Sequence, residues 1–95
     1  MVVGICRITL VIHDNDSLKG KRQVLKSIIE KVKNRFNVSI AEVGDNDLWQ
    51  RAEVGVCAVG NDRPHVNSVI DKVVDFIAGL HTAEIIDHGI ELINL

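Results

Sequence analysis

Four basic side chains, Lys19, Arg22, Lys26 and Lys33, recur at spacings that one side of a helix can gather. At about 100° per residue they fall within roughly 60° of one another, and at 1.5 Å rise per residue the row runs for about 21 Å. Such a row does electrostatic rather than covalent chemistry, and its length suits a polyanion better than a single phosphate. Lys21 shares the first turn and a half with Lys19 and Arg22, beside the free N–H groups of the helix start, where anions are favoured. The anion- or RNA-binding candidates are therefore Lys19, Lys21, Arg22, Lys26 and Lys33. Stability alone would place the charges otherwise, because each cation at a helix start costs roughly 0.3–1 kcal/mol and few Glu–Lys pairs stand four apart. A solvated helix face is the plainer alternative, since Lys and Arg are good helix formers. The charge is nevertheless lopsided. Residues 19–35 carry seven basic groups against one acid, Glu30, a net of +6, and residues 36–95 carry three against ten, a net of −7, in a chain whose overall charge is −2.

Other reactive side chains form no recognisable constellation. Cys6 and Cys57 lie in apolar, strand-like runs and read as buried free thiols rather than a disulfide framework. His13, His65, His81 and His88 are scattered without paired spacing or a C-x-x-C, so no metal site is expected. There is no Gly-rich phosphate loop and no G-x-S-x-G elbow. Asp14, Asp16, Asp45, Asp47 and Asp62 sit in turn clusters and read as turn and cap formers. The expectation is a non-enzymatic protein with no catalytic residue, metal or cofactor. The only tryptophan, in "DLWQR" (47–51), reads as capping the core with Arg51 stacked nearby; the alternative is a partner-facing anchor.

The elements that must position these groups follow in quick succession. Residues 2–13 form a β-branched strand, and 18–36 a helix with Leu18, Leu25, Ile28, Ile29, Val32 and Phe36 on one face. Strands follow at 38–43 and 51–59. A second helix spans about 62–80, with Pro64 harmless in its first turn, and a last strand spans 83–94, bent at Gly89. Ser17 is a good N-cap for the first helix. The order βαββαβ predicts one α+β domain over residues 1–95, ferredoxin-like, its four-stranded antiparallel sheet covered by both helices on one face. The first and third strands are the central pair. Cys6, Ile8, Leu10, Ile12, Ala52, Val54, Val56 and Ala58 then face the helices, leaving Ile5, Arg7, Thr9, Val11, Arg51, Glu53, Cys57 and Val59 on an open face. A half-apolar face of this kind tends to be covered, most simply by a second copy of the chain, with Ile5, Arg7, Trp49, Arg51 and Cys57 as interface candidates. That face carries no aromatic on its central strands, which excludes base reading of the usual RNA-recognition-motif kind. The start, "MVVGICRITLVIH", lacks a basic leader, is interrupted by Arg7 and is too short to span a bilayer, so a soluble, cytoplasmic protein is expected.

"SLKGKR" (17–22), "RFNVSIAEVGDNDLWQRAEVGV" (35–56) and "VGNDRPHV" (59–66) resemble the YlxP-like family, the domain of unknown function 503, through nearly the whole chain. The resemblance implies a ferredoxin-like fold and a cytoplasmic bacterial protein. Members are often encoded among translation and ribosome-maturation genes, which points to RNA or the ribosome as partner; it supplies no catalytic residues to carry over. Family members commonly have an acidic residue where this chain has Gly20, completing a Ser-x-x-Glu capping box. With Gly20 the helix start is expected to be looser and more positive than in the family. Two functional expectations result: a binding module for structured RNA or a ribosomal particle through the basic helix, and a homodimeric protein-interaction or small-ligand regulatory domain using the open sheet face.

Overall fold

Alternation of apolar and polar residues in two long β-branched runs fixes the centre of the molecule. In a computed structural model that describes all 95 residues, β1 (Val2–Val11) pairs antiparallel with β3 (Arg51–Gly60), Ile8 opposite Val54 and Cys6 opposite Val56. β2 (Ser39–Gly44) adds to the outer side of β3, and β4 (Glu84–Asn94) to the outer side of β1. The sheet order β2-β3-β1-β4 with all neighbours antiparallel is the ferredoxin-like arrangement the element order implied.

α1 (Leu18–Arg35) and α2 (Arg63–Gly79) cover one face. Both begin on the caps their sequences offer: Ser17 Oγ accepts from the Gly20 N–H and Asp62 Oδ2 from the His65 N–H, each at 3.0 Å. α1 leans over β2, whereas α2 lies over β1, β3 and β4. Leu25, Ile28 and Val32 of α1 and Val66, Ile70, Val73, Val74 and Ile77 of α2 are buried against Cys6, Ile8, Leu10, Ala52, Val54 and Val56. Each aliphatic side chain so buried contributes roughly 1.5–3 kcal/mol. α2 descends close to the sheet because Gly4 lies beneath it: a Cβ there would stand 2.5 Å from Ile70 Cδ1 and 2.6 Å from Val66 Cγ1. Edge-on packing of Phe36 against Phe76, 5.6 Å between centroids, closes the seam between the helices, and the Arg35 guanidinium lies over the Phe76 ring.

The irregularity in β4 is not at Gly89, which pairs in register with Arg7. The register shifts between Thr9 and Leu10, leaving Ile86 as the extra residue of a bulge. No helix is long and apolar enough to cross a membrane.

Candidate functional site

Of the five cations singled out, four behave as a surface row and one does not. Lys19, Arg22, Lys26 and Lys33 are exposed along α1, and no acidic group pairs with any of them. Lys31 and Arg35 add exposed charge on the other flank. No acid occupies the first turn to offset the helix dipole.

Lys21 is fully buried, so it is not a surface anion contact. Its Nζ donates to the carbonyls of Asp45 (2.6 Å) and Arg51 (3.1 Å) and lies 3.4 Å from Glu42 Oε2. Glu42 pairs with Val54 in the sheet register, so its side chain leaves β2 on the helix-covered side. Its buried Oε2 has no hydrogen-bond partner, and the ammonium is its counter-charge. The sequence held a signal for this: Lys21 precedes Leu25 by four residues and Ile28 by seven, so it continues the buried stripe of α1 rather than the polar row.

The segment that Lys21 grips, residues 45–50, is held from several sides. Asp45, at φ 60°, turns the chain out of β2, and its carboxylate accepts from Arg51 Nε at 3.0 Å. The Leu48 N–H donates to the Asp45 carbonyl, and the Ile12 N–H donates to the Gln50 carbonyl. Gln50 Nε2 donates to the Asn15 carbonyl at 3.1 Å. Asn15 Nδ2 in turn donates to the carbonyls of both Ser17 and Trp49. The start of α1 is therefore tethered. Gly20 makes room for this, since a Cβ at that position would stand 2.3 Å from Asn15 Oδ1. Lys21, withdrawn from the surface, leaves Lys19 and Arg22 as the exposed cations of that start.

Trp49 does not cap the core. It is 54% exposed on the braced loop, with Leu48 exposed beside it. Arg51 is engaged by Asp45 rather than stacked on the indole. On the open sheet face Ile5, Arg7 and Val59 are exposed. Thr9 is buried, at the bottom of a shallow polar hollow lined by Arg7, Arg51, Glu53 and Asp87. Arg7 stands between Gly55 and Gly89 on the neighbouring strands. The two cysteines separate. Cys6 is buried, and burial pushes its thiol up, outweighing a backbone hydrogen bond at Gly89 that lowers it; the charge of Asp71 raises it further. That is the opposite of an activated nucleophile. Cys57 is only half-buried, on the open face. Two of the scattered histidines come together in a way their spacing did not suggest. His13 and His81 line one shallow cavity with Glu84, and His13 Nε2 lies 2.5 Å from Glu84 Oε2.

Residues 3–90 match the family model described as "Protein of unknown function (DUF503)". The chain is 42% identical over 76 residues to "Uncharacterized protein YlxP" of Bacillus subtilis (strain 168), covering 80% of this chain and 83% of that protein. Among solved structures it is similar to the de novo designed protein Foldit4, with a TM-score of 0.55 at 15% identity, over 100% of this chain and 99% of that one, a likeness of fold alone. The chain belongs to the YlxP-like DUF503 family.

Proposed function

We propose that this protein is a cytoplasmic, non-enzymatic RNA-binding module that grips the phosphate backbone of a structured RNA, free or within a ribosomal particle, along α1. The observation that carries the reading is the row Lys19, Arg22, Lys26 and Lys33, exposed on one side of a helix with no acidic partner. Unpaired cations in a row neutralise successive phosphates and release counterions. They select for backbone rather than base sequence. Of the acids in residues 36–95, Glu84, Asp87 and Glu91 on β4 lie at the edge of the sheet opposite β2, away from α1. That edge is one a polyanion avoids. Amide chemical-shift mapping with a ribosomal RNA fragment tests this: shifts concentrated along residues 18–35 are expected, and shifts confined to the open sheet face would overturn it.

A second reading, a homodimer through the open face, is favoured by one corner of the sheet. There Val3 pairs with Val59 and Ile5 with Cys57, and Ile5 and Val59 are exposed. Sedimentation velocity over a concentration series decides it. A dimer abolished by Ile5→Asp supports this reading, and a monomer throughout ends it.

A further inference from the structure

Resting on the RNA reading above, we infer that Trp49 is a stacking platform for an unpaired base of the RNA strand whose phosphates α1 holds. The only tryptophan of the chain is left more than half exposed on a loop that is not left free. A fully buried lysine, an arginine and an asparagine bond the segment that carries it, and that segment's own Gln50 donates to the Asn15 carbonyl. An aromatic side chain held out on a backbone that cannot readily fold it inward is pre-organised for contact.

Its position selects the partner. The single nitrogen Asn15 Nδ2 bonds the carbonyl of Trp49 and the carbonyl of Ser17, the N-cap of α1. The backbone that carries the aromatic is thereby tied to the start of α1, the helix whose first turns hold Lys19 and Arg22. An exposed π-face on a loop tied to the start of a helix with unpaired cations is complementary to a nucleotide, with its flat base and charged phosphate. It is poorly matched to an apolar peptide, which would leave Lys19 and Arg22 without counter-charges. Bases in a continuous duplex are stacked on each other and their faces are closed, so the strand must be single or looped where Trp49 meets it. Stacking of this kind tolerates any base, in keeping with recognition that is otherwise through phosphates.

The tryptophan is its own reporter. Titration of the protein with a single-stranded RNA 12-mer, and with a duplex of the same length, is followed by Trp49 fluorescence and by anisotropy of labelled RNA. The single strand is expected to quench Trp49. Trp49→Ala is expected to weaken single-strand binding roughly five- to 150-fold without changing its salt slope, Trp49→Phe to restore most of the loss, and duplex binding to be unaffected. Since the side chain is exposed, the variants keep the fold, which circular dichroism checks. Salt-dependent RNA binding with Trp49 fluorescence and the Trp49→Ala affinity both unmoved would overturn the stacking role, leave the phosphate-binding reading standing and mark Trp49 as a protein-facing anchor. Absence of RNA binding altogether would overturn both.

Discussion

Replacing Lys21 with methionine keeps most of the side chain's length and apolar stem and removes only the ammonium. Three groups then lose their partner: the carbonyls of Asp45 and Arg51 and the buried Oε2 of Glu42. Stripping one member from a buried pair typically costs about 3–5 kcal/mol, most of it the penalty of the charge left behind. The Glu42 side chain is 24% exposed against 1% for Lys21, so water relieves part of its charge and the lower end, about 3 kcal/mol, is expected. A domain of this size commonly has a total stability of about 5–14 kcal/mol, so Lys21→Met removes a large fraction. Urea unfolding followed by circular dichroism measures it. Adding Glu42→Gln to Lys21→Met is expected to recover on the order of 1–2 kcal/mol, because the stranded charge is gone. Lys26→Met, on the exposed row, is expected to stay within about 0.5 kcal/mol. A Lys21→Met variant within about 1 kcal/mol of the parent, or a double variant no better than the single, would refute the assignment of Lys21 as the tie between α1 and the β2–β3 loop.

Native protein is expected to take up one equivalent of a thiol-alkylating reagent, at Cys57, and a second, at Cys6, only on denaturation; equal labelling of both in the native state would contradict the face assignment of β1. Helix glycine to alanine normally brings roughly 0.5–1 kcal/mol, but Gly20→Ala is expected to bring none, because the Cβ meets the bonded Asn15 side chain. In an Asn15→Ala background the same change is expected to give the usual gain, and strict additivity in the four-variant cycle would rule out that contact.

The fold was legible because it is written in periods. Two-residue alternation in β1 and β3 placed Ile8 and Val54 inward and Ile5 and Val59 outward, and the helical stripes named the residues that cover them. The exposed row on α1 followed from spacing for the same reason. What failed was reading side chains by type alone. Charge type groups Lys21 with its neighbours although its position belongs to the buried stripe, and only the fold reveals the carbonyls of Asp45 and Arg51 waiting for it. As a lone tryptophan where a loop meets a strand, Trp49 reads as a cap on the core, with Arg51 stacked nearby. Its exposure depends on how a loop is bonded by Asn15 and Gln50, distant contacts that no local period encodes. Thr9 lies on the predicted face and is nevertheless buried, because charged side chains on its own and neighbouring strands wall the hollow around it.

The central claim, that α1 binds RNA through its phosphates, is tested most directly by a salt series. Fluorescence anisotropy with a ribosomal RNA fragment is compared between the parent and a variant in which Lys19, Arg22, Lys26 and Lys33 are changed to Glu, Lys21 being left in place because it holds the fold. Four phosphates neutralised give a log–log slope on the order of −3 to −4, by analogy with duplex DNA. The account predicts that slope in the parent and no measurable binding in the variant. Binding absent at low salt, or unchanged by the charge reversal, would contradict it.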